Sequence, residues 1–177
     1  MKRCLRIPKT LHIAPTKLKD VIIPMAGLDP GTNTFQTLYD NSDKVSKFGF
    51  EKPKNICLFQ ELVAEYLTEE YEYVFLPKFN VKSFWNHKRF HDIMTSNHPG
   101  TIDVNEHLTS QICSNCGRIK KCGKVYRCKC GNVMDRDSNA AKNILNRGIS
   151  AHPSHVGNQF EGQDFDLLSY LQSHRRF

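Results

Sequence analysis

The sequence predicts a mixed α/β fold: one sheet with flanking helices and a metal-binding ribbon inserted ahead of the last helix. Three observations predict it. Short β-branched or aromatic runs bounded by turn residues alternate with stretches of helical periodicity. The first three strand-like runs follow one another closely, as a meander does, whereas the later ones are separated by helices, as parallel strands are. Paired cysteines then precede a final amphipathic stretch.

Taken in order, "DVIIPMAGLDPG" reads as a buried strand starting in the β-branched run Val21 to Ile23, with Asp29-Pro30-Gly31 as its closing turn. "TFQTLYD" reads as its antiparallel partner and "KVSKFGF" as a third strand, with Phe48 and Phe50 on one face. In "NICLFQELVAEYLTEE", Ile56, Phe59, Val63, Tyr66 and Leu67 recur at helical spacing behind Asn55, a residue type suited to an N-cap. "YEYVFLPKF" is a strand, "NHKRFHDIM" a short helix and "TIDVNE" another strand. "DSNAAKNILNRG" places Ala140, Ala141, Ile144 and Leu145 on one face of a last helix, with Gly148 as the expected stop. The expected organisation is a basic segment at 1–20, a core at 21–108, a ribbon at 109–133, a helix at 134–150 and a polar, disordered tail at 151–177.

The formal net charge is +7. Between Ser110 and Ser150 there are nine Lys or Arg residues against Asp135 and Asp137, so this segment alone carries +7 and the rest of the chain balances. A basic excess confined to one segment points to a polyanion partner, and Arg118, Lys120, Lys121, Lys124, Arg127 and Lys129 are the candidate contacts. No apolar run approaches a membrane span and none follows the basic N-terminus as an export signal would, so an intracellular, non-membrane protein is expected. The sequence leaves the oligomeric state open.

Five of the seven cysteines fall within 18 residues. Cys113-x-x-Cys116 and Cys128-x-Cys130 form two knuckles separated by eleven residues, each followed by a glycine, and four thiolates in this pattern suit a tetrahedral structural zinc. Such a closed site leaves no open position for catalysis. Cys122 is either a substitute ligand or a free thiol. Asp29, at the carboxyl end of the first strand, and Asp137, at the start of the last helix, are residues that taken alone serve turns and helix starts more often than metal ions.

Together, "AGLDPGTNTFQTLYD", "VNEHLTSQICSNCG" and "MDRDSNAAKNIL" resemble, in this order, the RuvC-like nuclease half of the OrfB/TnpB transposon proteins, in particular the Fanzor branch. The resemblance spans roughly Val21 to Arg147, with gaps. It implies an RNase H-like fold with a zinc ribbon between the last strand and the final helix. It also implies magnesium-dependent DNA cleavage guided by RNA, with Asp29 as the first catalytic carboxylate and Asp137 as the third. The family's second carboxylate ends the fourth strand in text like "EDLNV"; here "PKFNV" puts Pro77 in that slot, and Glu106 in "VNEHLTS" is the candidate replacement. About 20 residues precede the first strand, so the lobe that grips guide and target is expected to be missing. The enzyme reading is therefore set beside a catalytically degenerate relative whose ribbon binds nucleic acid. DNA, and guide RNA with it, is the expected partner, in the nucleus if the host is eukaryotic.

Overall fold

The computed structural model describes residues 23–32, 34–49, 55–78 and 85–152. The basic N-terminal segment, Phe50 and all but the first two residues of the polar tail lie outside these residues, as does the side chain of Trp85.

The chain runs β1 (Met25–Pro30), β2 (Gln36–Asp40), β3 (Val45–Phe48), α1 (Ile56–Glu70), β4 (Tyr73–Pro77), α2 (Trp85–Asn97), β5 (Thr101–Val104), β6 (Val125–Arg127), β7 (Val133–Asp135) and α3 (Arg136–Ala151). The five-stranded sheet has the order β3-β2-β1-β4-β5. β2 is antiparallel to β1 and to β3, while β4 is parallel to β1 and β5 parallel to β4. This is the mixed sheet that the element order predicts, and it suits the RNase H-like fold that the resemblance implies. β1 begins at Met25, after Pro24, while Val21 and Ile22 of the expected strand start lie outside the described residues.

Strand alternation divides the core between the two faces. Ala26, Leu28, Leu38, Val74 and Leu76 point toward α1 and α2, where Val63, Leu67, Phe90 and Met94 close one cluster. Met25, Tyr39, Phe75 and Val104 point the other way and pack on Ala141, Ile144 and Leu145 of α3. β1 is therefore covered on both sides, which explains its continuous apolar run. α1 starts where Asn55 accepts a hydrogen bond from the Leu58 amide at 3.1 Å. Its buried stripe is Gln60, Val63, Ala64 and Leu67, while Ile56, Phe59 and Tyr66 are half-buried.

α3 crosses β1 in close backbone contact. A Cβ on Gly27 would lie 2.4 Å from the Ala141 carbonyl oxygen and 2.5 Å from the Leu145 nitrogen. Gly148 is not the helix stop that the sequence suggests. It lies inside α3, which continues to Ala151, because a Cβ there would lie 2.1 Å from the Phe75 ring. The glycine is a packing requirement imposed from β4, which no local pattern reveals.

Gly27→Ala is expected to destabilise the protein by about 1–3 kcal/mol, the usual cost of overpacking a filled core. Urea unfolding measures this; an unchanged midpoint would mean that the helix can move off the strand freely.

Candidate carboxylate edge and metal ribbon

Asp29 occupies the α3 side of β1, two residues beyond Gly27. Two strand residues advance about 7 Å. Four helix residues, from Ala141 back to Asp137, retreat about 6 Å. The crossing at Gly27 thus brings the first turn of α3 over the end of β1. Asp29 pairs across β1–β2 with Thr37, and Thr37 pairs with Lys47 on β3. Gly27 pairs with Phe75 on β4, so Asp29 lies level with Pro77, which in turn pairs with Val104. Pro77 therefore sits beside Asp29 in the lateral row, and it is buried. Glu106 follows Val104 by two residues, just past the end of β5.

Asp29 lies within the electrostatic reach of the other two predicted carboxylates. Burial first, and then the negative charges of Asp137 and Glu106, push the Asp29 pKa up to about 8, with Arg136 opposing them and Asp135 adding a smaller push. Partial burial also raises Glu106. The three do not form a cluster as tight as the cysteines: among the described residues, the group of ligand-type side chains gathered for a single ion is the cysteine quartet. Asp137 is not the helix cap. Asp135 is, accepting from the amides of Asp137 and Ser138 at 3.1 Å each, which leaves the Asp137 carboxylate beside Arg136 Nε at 3.2 Å. Lys47 ties that cap to the sheet through an ion pair with Asp135 at 2.9 Å.

In the ribbon, the Sγ atoms of Cys113, Cys116, Cys128 and Cys130 all lie within 4.8 Å of one another. Cys113 and Cys130 are 3.6 Å apart, and Cys116 and Cys128 are 3.5 Å apart. A tetrahedral site with bonds of about 2.3 Å to sulfur needs edges of about 3.8 Å, so the quartet fits a metal such as zinc. Gly117 and Gly131 follow the knuckles at φ 71° and 93°, turns that favour glycine. The Asn132 backbone amide donates toward Cys130 and draws its pKa down to about 6, which favours the thiolate. Cys122 stands outside the quartet, its thiol 3.4 Å from the Ser110 carbonyl oxygen. β7 runs straight into α3 at Asp135, so the expected division after residue 133 falls inside a strand.

Several structural residues escape a sequence reading. Asn139 and Asn143 are buried on α3. Their side-chain amides donate to the Ile112 carbonyl oxygen at 2.6 and 2.7 Å, and Asn143 also reaches that of Thr109 at 2.8 Å. Asn139 in turn accepts from the Ser114 amide at 3.1 Å. These bonds bolt the first knuckle to the helix. The Asn-x-x-x-Asn spacing is visible in the sequence, but its carbonyl partners are not. The six candidate nucleic-acid contacts, Arg118, Lys120, Lys121, Lys124, Arg127 and Lys129, are all exposed. His87 packs on Phe35, His91 pairs with Asp103 at 2.6 Å, and Phe90 is in the core.

A mixed α/β sheet with a carboxylate-bearing edge and a four-cysteine ribbon between its last strand and last helix defines the class of this protein. Residues 96–144 match the family described as Cas12f1-like, TNB domain. Two TnpB-like proteins of Acanthamoeba polyphaga mimivirus are each 57% identical to this chain over 51 residues, which is 27% of this chain and 10% of the relative. A chain of Cas12f1, solved by cryo-EM in a complex with sgRNA and target DNA, superposes with a TM-score of 0.56 at 15% identity, over 75% of this chain and 52% of its own length. The matched segment thus spans about a tenth of the curated relatives' length. Together these matches support a TnpB-type family for this chain, on a fold shared with part of Cas12f1.

The raised Asp29 carboxyl has a consequence for stability. Its folded pKa of about 8 lies above its ordinary value of 3.8. The folded state therefore binds the proton more tightly, and the group's contribution is full below pH 3.8 and lost as pH rises through about 8. Without added divalent cations, stability should fall between these limits, and Asp29→Asn should flatten that slope and be the more stable form at pH 8. Thermal unfolding across pH measures it; parallel curves for both proteins would contradict the raised Asp29 carboxyl.

Proposed function

We propose that this chain is the RuvC-like, divalent-metal-dependent DNA endonuclease part of a TnpB-type, Fanzor-like RNA-guided nuclease. Asp29, Glu106 and Asp137 would hold magnesium, and Cys113, Cys116, Cys128 and Cys130 a structural zinc. The observation that carries this reading is Asp29, which stands under the negative charge of Asp137 and Glu106 at the end of the central strand. Carboxylates crowded at a strand's carboxyl end are what a cation site requires. A divalent ion bound there supplies the Lewis acidity that phosphodiester hydrolysis needs.

The chain's own residues do the rest. Asp29 gives up its proton as the cation binds, so binding strengthens as pH rises toward 8. Arg136, beside Asp137, offers a guanidinium to a phosphate oxygen on the same edge. The exposed cations of the ribbon, Arg118, Lys120, Lys121, Lys124, Arg127 and Lys129, would attract a nucleic-acid strand through its phosphates. Such a protein works inside the cell alongside DNA.

A second reading rests on Pro77. A residue that cannot bind metal fills the row position beside Asp29, and the carboxylates are not gathered as tightly as the cysteines. On that reading the chain binds nucleic acid without cutting it.

Incubating the zinc-loaded protein with single-stranded DNA and magnesium separates the two. Asp29→Ala, Glu106→Ala and Asp137→Ala should each reduce cleavage below detection, while Pro77→Ala leaves it unchanged. Salt-sensitive binding with no cleavage by the unaltered chain would establish the second reading.

A further inference from the structure

Glu106 sits where nothing in the sheet holds it. β5 ends at Val104, so no strand ladder fixes the residues that follow. A carboxylate in a loose loop makes a poor metal ligand, because ligand geometry must be held to a fraction of an ångström. Yet the Glu106 loop is not loose. The Arg147 guanidinium donates from Nη1 to the Asn105 carbonyl oxygen at 2.6 Å and from Nη2 to that of His107 at 2.8 Å. One planar fork thus grips the residues on both sides of Glu106.

The remaining bonds around the loop agree. The Glu106 carbonyl oxygen accepts from the Thr109 amide at 3.1 Å and from its hydroxyl at 2.9 Å. Asn143, one helical turn before Arg147, donates to the Thr109 carbonyl oxygen at 2.8 Å. Asn105 Oδ1 accepts from the His107 amide at 2.8 Å. Leu108 holds a φ of 61°, a left-handed backbone that a leucine keeps only where its surroundings over-determine it. Arg147 lies about 15 Å along α3 from Asp137.

We infer that Arg147 is a positioning residue: by clamping the carbonyls that flank Glu106, it makes α3 fix Glu106 as well as Asp137 at the carboxylate edge. This inference rests on the nuclease reading. The work is geometric, because both hydrogen bonds end on neutral carbonyl groups. A lysine keeps the charge but presents a point donor that cannot reproduce the fork.

The test is manganese binding to the zinc-loaded protein, read as free manganese by electron paramagnetic resonance, with hydrogen exchange at the Thr109 amide followed in parallel. Arg147→Gln and Arg147→Lys should each weaken manganese binding by about 10- to 100-fold, the usual cost of losing an outer-shell partner. Exchange at Thr109 should quicken in both. In a Glu106→Gln background, Arg147→Lys should cause no further loss, because the two residues act as one unit. Should Arg147→Gln not fold, the lysine variant carries the test alone. Full affinity in the lysine variant, or a loosened loop with unchanged affinity, overturns the inference while leaving the nuclease reading intact. No manganese binding by the unaltered protein overturns that reading, and the inference with it.

Discussion

The close crossing of α3 over β1 at Gly27 is the constraint on which the rest of the arrangement depends. With no side chain at Gly27, the helix backbone sits directly on the strand, and the first turn of α3 falls over the strand's carboxyl end. A helix held one side chain further away would not bring Asp137 close enough to raise Asp29. Gly148 repeats the device against Phe75, so the helix is seated at two points on adjacent strands. Lys47 then fixes the remaining end, through the aspartate that caps the helix.

The same helix serves the sheet and the ribbon with two different faces. Ala141, Ile144 and Leu145 bury against the sheet. Asn139 and Asn143 satisfy the otherwise unpaired carbonyls of the first knuckle, which a ribbon with so small a core of its own needs for a fixed orientation. Within the ribbon, Tyr126 is fully buried and donates to the Arg118 and Gln111 carbonyl oxygens, and the cysteine quartet closes the other side. The sulfur quartet is closed and suits structure, whereas at the carboxylate edge burial and the neighbouring negative charges hold the Asp29 carboxyl well above its ordinary range.

Much of this was legible in the sequence because it is locally encoded. The strand and helix order, the Asn55 cap, the cysteine pairs and their glycines each need only neighbours in the chain. Asp29 and Asp137 were marked by motif resemblance, and the structure gives them a shared electrostatic field. The misread features have partners far away in sequence. Gly148 looked like a stop because its reason, Phe75, lies on β4. Asn139, Asn143 and Arg147 look like ordinary polar helix residues because the carbonyls they bind belong to loops 27 to 42 positions earlier. Glu106 stands beyond a strand end, where periodicity gives no side, and only the register of β4 against β5 relates it to the row of Asp29.

If α3 is the shared plank between ribbon and edge, loosening the ribbon must loosen the helix start. Native-state hydrogen exchange before and after zinc removal reads this directly. The account predicts that stripping the metal deprotects the ribbon together with the Ala140 to Asn143 amides and the Thr109 amide, while β1 and β4 keep their protection. Loss confined to the ribbon, with the first turns of α3 unchanged, would show that knuckle and carboxylate edge are independent, and would contradict the central role given to the helix.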